Sequence, residues 1–291
     1  MKYIYIVLIL TLFSAPIISC ERPLDSPNSS NSQIEELGIV SFSYRHQFDE
    51  DVPGTLDIIK DLGITNMEFS SLFGLSATEL RELLDERGIA CTSFGVGYND
   101  LLEDSEQVIA DALALGAKYV RVASIPHDRS SPFTIEHARK AVEDFNRFGQ
   151  ILSESDLHFL YHNHGYEFRP YEDGTLFDYI VQNTDPEYVN FQMDVAWVIH
   201  PGHDPVELLK KYPDRFYATH LKDLSKEIDH DYTGRLPRDS NVPFGTGLMD
   251  FSTFLEVSQS SNIEFHYIEY EDYDVVDVMP GNVEYIKSIR F

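Results

Sequence analysis

From Leu37 onward the chain alternates two kinds of apolar pattern. Short runs rich in branched and aromatic residues fall at 38–44, 64–70, 89–96, 119–124, 157–164, 188–195, 216–223 and 264–271. Between them, apolar residues recur at helical spacing over 55–62, 76–87, 105–115, 135–153, 176–182, 204–211, 251–258 and 281–289. The period switches repeatedly from about two to about 3.6 residues, which predicts parallel strands joined by crossover helices. Local signals mark some boundaries: Ser76 and Glu79 spell a capping box, and Gly116 stands just past the third helix. Eight strands with eight helices is the count of an α/β fold of the (β/α)8 TIM barrel type, in a single domain. An open doubly wound sheet would normally carry a glycine-rich phosphate turn after its first strand, and SFSYRHQFDED at 41–51 contains no glycine.

Ahead of this region the pattern changes. Lys2 is followed by an apolar run from Tyr3 to Ile18, and then by Ser19 and Cys20. A run so short and so near the start reads as a signal peptide rather than a spanning helix. A small residue followed by Cys20 resembles the lipobox of bacterial lipoproteins. That resemblance implies cleavage before Cys20, lipidation of Cys20, and attachment through acyl chains alone to a bacterial membrane, facing the periplasm or the cell surface. Glu21 to Gln33, ERPLDSPNSSNSQ, is a polar Pro/Ser/Asn tether. The expected organisation is a signal peptide over 1–19, a tether over 20–35 and the barrel over 36–291. Cys91 is the one cysteine left to the barrel, so no disulfide is expected within it.

Composition narrows the partners. Asp and Glu number 49 against 22 Lys and Arg, a formal charge of -27, with no basic run. Such a surface repels nucleic acid and phosphates unless a metal or a local basic patch intervenes, so no nucleic-acid partner is expected and a small-molecule substrate is; a homo-oligomer stays open.

In a barrel the C-terminal ends of the strands form the active face. Polar residues cluster there in the second half of this chain. The fifth run ends in HNHGYEF (162–168), the sixth in Asp194, the seventh in His220 with Lys222 and Asp223, and the eighth in Glu269 with Glu271. Side chains alternate along a strand, so His162 and His164 face one way and Asn163 the other, while Glu269 and Glu271 share a face. Singly, a strand-end Asp is explained by helix capping and a lone His by hydrogen bonding. Imidazoles and carboxylates converging from four adjacent strands would repel or stay unsatisfied unless a cation joined them. One divalent ion is therefore expected among His162, His164, Asp194, His220 and Glu269. Such donors suit Mn2+, Zn2+, Co2+ or Fe2+ better than Mg2+ or Ca2+.

Several phrases occur in a telling order: FGLSATELRELLDERGI (73–89), YHNHGYEF (161–168), QMDVAWV (192–198) with GHDP (202–205), THLKD (219–223), VPFGTG (242–247) and YIEYE (267–271). Over nearly all of the chain beyond the tether, the sequence resembles the xylose-isomerase-like barrel superfamily. That sugar phosphate isomerase/epimerase group also contains apurinic endonucleases, inosose dehydratases and lyases of 3-keto-glycosides. Its members typically hold one divalent ion with a carboxylate on strand five, Asp on six, His on seven and Glu on eight, so the resemblance implies Asp194, His220 and Glu269 as ligands. At strand five this chain departs from the pattern. It offers His162 or His164 where many epimerases carry Glu, and spacing does not choose between them.

The departure bears on mechanism, because family epimerases place two carboxylates on opposite faces of the substrate. With one of that pair missing, a single base and a metal-stabilised enediolate fit isomerisation, dehydration or β-elimination beside a ketone better than two-base epimerisation. The third run ends in FGVGYND, without the His that apurinic endonucleases need there, and Trp197 stands where they use another. The expected function is thus a divalent-metal-dependent isomerase, lyase or hydratase of an unphosphorylated keto-sugar or 3-keto-glycoside. A sugar epimerase of the same superfamily and a non-catalytic sugar-binding lipoprotein are the rivals. The expected roles are proton transfer by His164 or Glu269, oxyanion stabilisation by Lys222, and a sugar pocket lined by Glu167 and Trp197, with Glu68 and Arg121 reaching it from below. The excursion from Ser225 to Gly247 reads as a lid or an oligomer contact.

Overall fold

The computed structural model describes residue 34 and residues 37–290. The apolar leader, Cys20 and all of the tether except Ile34 lie outside the described residues. Eight parallel strands close into one barrel: β1 Leu37–Val40, β2 Asn66–Phe69, β3 Ala90–Val96, β4 Tyr119–Val122, β5 His158–His162, β6 Val189–Asp194, β7 Phe216–Leu221 and β8 Phe265–Ile268. Each pairs with its neighbours in chain order until β8 meets β1. The outer helices are α1 Val52–Asp61, α2 Ala77–Asp85, α3 Ser105–Leu115, α4 Ile135–Ser153, α5 Leu176–Asn183, α6 Pro205–Lys211, α7 Phe251–Ser258 and α8 Val275–Ser288. The molecule is a TIM barrel in a single domain, the architecture that the alternating periods predict.

Capping chemistry explains where several helices begin and end. Both halves of the Ser76–Glu79 capping box form at the start of α2, satisfying two otherwise orphaned groups. Gly116 closes α3 at φ 74°, a left-handed conformation that costs glycine little. The final helix begins earlier than the 281–289 pattern suggests and continues through Pro280. Proline there leaves the carbonyl of residue 276 without its helical donor. Val276 and Pro280 are both exposed, so water can take the place of the lost bond.

Most of the apolar runs overshoot their strands at the C-terminal end. The run at 157–164 leaves the sheet at His162, that at 216–223 at Leu221, and that at 264–271 at Ile268. Side chains take over the ladder's role where the strands stop. Ser41 Oγ accepts from Ser70 N at 2.9 Å, Ser43 Oγ accepts from Tyr270 N at 3.0 Å, and Asn163 Oδ1 accepts from Asp194 N at 3.0 Å.

Alternation along the strands creates two apolar regions. One lies between the sheet and the helices, where Phe145, Phe148, Phe159 and Phe191 pack. The other, Val40, Tyr119, Leu160, Ala218 and Tyr267, fills the barrel interior. This buried plug means the barrel is a packed core rather than a pore. The excursion after β7 contains a short helical turn, Arg238–Ser240, and a bridge from Leu224 to Asn241. Asp223 organises its return: its carboxylate accepts from the backbone amides of Leu224, Gly245, Gly247 and Met249 at 2.9–3.1 Å.

Candidate metal and sugar site

At the C-terminal face, β5, β6 and β7 bring His162, Asp194 and His220 together. One ligand atom from each lies within 4.8 Å of the others, and all three residues are buried. The register explains the convergence, since Asp194 stands directly opposite His220 in the β6–β7 ladder. Asp194 is held by its own neighbours. Its Oδ1 caps the short helix Val195–Ile199 through Ala196 N at 2.8 Å and Trp197 N at 3.2 Å. Asn163 grips its backbone on both sides, at 3.0 and 3.1 Å. The other oxygen, Oδ2, is buried and has no hydrogen-bond partner among the described residues.

That orphaned oxygen lies 3.7 Å from His162 Nε2. The separation is too long for a hydrogen bond, yet shorter than two metal–ligand bonds of about 2.0–2.1 Å placed end to end, so one ion can touch both. A buried carboxylate oxygen without a donor is costly. The donor set of His, His and Asp, with Glu269 beside His220, therefore fits a divalent ion of the zinc or manganese kind.

Glu269 follows β8, and its Oε2 meets His220 Nδ1 at 2.7 Å while Oε1 lies 3.9 Å from Lys222 Nζ. Lys222 also bonds the Glu271 carboxylate. Burial by itself would raise the Glu269 carboxyl, but Lys222 and His220 outweigh it and hold the group well below the usual range. Lys222 is buried too, and the surrounding carboxylates keep its ammonium charged. Burial lowers His162 strongly, with the nearby His220 adding to the effect. For His220 burial acts downward, but Glu68 and Glu269 prevail and push it up to about 9. Burial raises Asp194 to about 7, against the pull of Lys222.

The remaining expected site residues are distributed as follows. His164 lies two residues past the end of β5; its ring lies 5.3 Å from that of His162 and stacks on Trp197 at 4.8 Å. Its Nδ1 is buried without a hydrogen-bond partner, and burial depresses its pKa to about 3. Lys222 Nζ stands 5.6 Å from the Trp197 ring centre. Glu167 is fully buried; its Oε1 accepts from Tyr161 OH and from His164 N, and burial raises it to about 7. Glu68 and Arg121 pair inside the barrel, with 2.9 Å between Arg121 Nη2 and Glu68 Oε1. Gly95 makes room for that guanidinium, because a Cβ there would lie 2.5 Å from Arg121 Nη2.

Sequence reasoning missed four participants: Asn163 as a clamp, Tyr161 on Glu167, and Ser93 and Gln192 on Glu68. Gln192 could have been found by parity, since it lies two residues before Asp194 on the same face of β6. Asn163 and Ser93 depend on register between strands, and Tyr161 on the turn that follows β5.

Residues 56–291 match the family described as xylose isomerase-like TIM barrel. Inosose dehydratase 2 of Bacillus cereus is 25% identical over 206 residues, covering 70% of this chain and 67% of that protein. A sugar phosphate isomerase/epimerase from Parabacteroides distasonis ATCC 8503 superposes with a TM-score of 0.72 at 21% identity, covering 89% of this chain and 98% of that one. The IOLI protein, whose crystal structure has a bound zinc atom, superposes with a TM-score of 0.65 at 13% identity, over 87% of this chain and 95% of that one. Sugar dehydratases and isomerase/epimerases are thus among the proteins this chain is similar to. By the family match and the closed eight-stranded barrel, this chain belongs to the xylose isomerase-like TIM barrel family.

Proposed function

We propose that the protein is a divalent-metal-dependent lyase or isomerase of an unphosphorylated keto-sugar or 3-keto-glycoside. Dehydration beside a ketone is the favoured reaction. The observation that carries this reading is the buried, unpartnered Asp194 Oδ2 facing His162, with Lys222 and Glu269 alongside. The similarity to an inosose dehydratase and to a zinc-containing barrel supports it.

His162, Asp194, His220 and Glu269 would hold the ion, which when bound supplies Lewis-acid polarisation of a substrate oxygen. The chain's own groups supply the proton chemistry. His164, whose Nδ1 is unpartnered, would accept the proton on the carbon next to the carbonyl. As that C–H bond breaks, its electrons form the new double bond and the C–O bond at the next carbon breaks. The oxygen leaves as water, taking back the proton from the same imidazolium. Lys222, held charged by its carboxylates, balances the negative charge that builds on the substrate oxygen. Trp197, stacked on His164, would offer the sugar an apolar ring.

We also propose that the protein is exported and anchored through lipidated Cys20, with its polar tether spacing the barrel from the membrane. An exported enzyme meets sugars and glycosides rather than cytoplasmic phosphosugars, and the excess of acidic residues argues against phosphate ligands. The test is elemental analysis of the purified protein, followed by incubation with keto-sugars in D2O with and without added Mn2+ or Zn2+. One tightly held ion per chain, with metal-dependent exchange or loss of water, is expected. No bound metal and no exchange into any keto-sugar would refute the enzyme reading and leave a sugar-binding protein.

A further inference from the structure

Glu68 lies at the centre of the polar layer, fully buried, and five donor atoms converge on its carboxylate. Oε1 accepts from Arg121 Nε at 3.0 Å and His220 Nε2 at 2.9 Å and is ion-paired with Arg121 Nη2 at 2.9 Å. Oε2 accepts from Ser93 Oγ at 2.8 Å and Gln192 Nε2 at 2.7 Å. The second amide atom of Gln192, Oε1, lies 3.0 Å from His162 Nδ1.

Hydrogen-bond direction can be followed outward from this point. A carboxylate paired with arginine accepts and does not donate. Gln192 must therefore turn its NH2 toward Glu68 and its carbonyl toward His162. A carbonyl only accepts, so His162 must carry its proton on Nδ1. As a neutral imidazole it then presents a lone pair at Nε2, the atom 3.7 Å from Asp194 Oδ2. The opposite amide orientation would set two acceptors face to face beside Glu68. On the other side, both ring nitrogens of His220 face carboxylates, Nε2 toward Glu68 at 2.9 Å and Nδ1 toward Glu269 Oε2 at 2.7 Å; with Nε2–H held by Glu68, Nδ1 is the nitrogen that would give up its proton to an ion. His164 lies outside this chain of bonds, stacked on Trp197.

We propose that Glu68 and Gln192 are positioning residues that fix which nitrogen each of His162 and His220 presents toward Asp194 and Glu269. The inference rests on the metal-site reading above. It also makes His162 rather than His164 the histidine that completes the site from β5, and it gives Glu68 a role other than contacting sugar. The backbone is shaped for the arrangement. Register shifts fall between Met67 and Glu68 in the β2–β3 ladder and between Phe191 and Gln192 in the β6–β7 ladder. Such irregularities re-aim side chains beside functional sites. Outer partners of this kind set ligand tautomer and orientation in metal sites.

The test uses the full chain labelled with 15N-histidine and freed of metal. Long-range 1H–15N spectra report the tautomer, and Zn2+ affinity is measured by competition with a chromophoric chelator. In the unaltered protein His162 should be protonated at Nδ1. In Glu68→Gln the new amide must keep its carbonyl toward Arg121 and His220 and present its NH2 to Gln192. Gln192 then has to flip, and His162 should switch to Nε2–H. Gln192→Met leaves the Glu68–Arg121 pair intact and guards against a folding defect at position 68; it should release His162 from a single tautomer. Both variants should bind Zn2+ about 10- to 100-fold more weakly. Nε2-protonated His162 in the unaltered protein, or a tautomer that ignores both substitutions, would overturn the proposal. If the unaltered protein takes up no Zn2+, the metal reading fails, and the tautomers still decide this inference.

Discussion

Asp194 uses the two oxygens of one carboxyl group differently. Oδ1 caps the Val195–Ile199 helix, and Oδ2 faces His162 without a hydrogen-bond donor. Asparagine caps helices as well as aspartate does, so Asp194→Asn should separate the two roles. With metal removed from both proteins, the variant should melt within about 2 °C of the parent, because the cap is worth only about 1 kcal/mol and is retained. Its metal content should fall from one ion per chain to a trace; retention of the ion would remove Asp194 from the site. His266 gives a second residue-scale test, away from the mouth. It is buried between Thr219 and Ser258, and burial lowers its pKa to about 4 from an ordinary 6.5. The folded state therefore binds the proton less readily than the unfolded chain. Its contribution to stability is complete above pH 6.5 and is lost as pH falls from 6.5 toward 4, by about 2.5 kcal/mol at pH 4.5. Urea titrations of His266→Gln should show the gap to the parent shrinking or reversing by about that amount between pH 7 and 4.5. A constant gap would refute this titration. At this scale the chemistry was legible in the sequence as residue types at strand ends. The split duty of Asp194 was not, because it depends on where the backbone amides of residues 196 and 197 point.

Helices and strands were legible to different degrees. The bounds of α4 and α7 coincide with the helical spacing in the sequence, because amphipathic period and capping are local properties. Strand ends were less legible, since a strand stops where its neighbour ceases to pair with it. One element-scale prediction runs against local propensity. Gly149 lies inside α4, where alanine would normally add about 1 kcal/mol of stability. A Cβ at that position would lie 2.1 Å from the Tyr188 carbonyl oxygen, a backbone atom just before β6. Overpacking of this kind costs about 1–3 kcal/mol or more, and the contact is with backbone, so the clash should win. Gly149→Ala is expected to lower the melting temperature by about 4–8 °C. An unchanged or higher value in thermal unfolding would show that the helix can move away from residue 188.

For the whole molecule, the proposed lipid anchor would assign location to the apolar leader and Cys20 and chemistry to the barrel, so the two should separate experimentally. Cys20→Ser should shift the protein from the membrane fraction to the soluble fraction in a bacterial host, with metal content unchanged. Equal partition of the two forms would refute the lipid anchor. The sequence by itself determined the eight barrel strands and the eight helices outside them, the Ser76–Glu79 cap, the phrases of the family and the set of donor residue types. All of these are written in local period or in residue identity. Tertiary structure decided which of those donors meet. Glu68, Gln192 and His220 come from β2, β6 and β7, and they touch only because the sheet closes and fixes the register of all eight strands together. It also gave His162 and His164 different partners: their rings stay 5.3 Å apart, but His162 meets Asp194 and Gln192 while His164, past the end of β5, stacks on Trp197. Registers between distant strands and the points where they part are set by the packing of the whole barrel, and no local stretch of sequence encodes them.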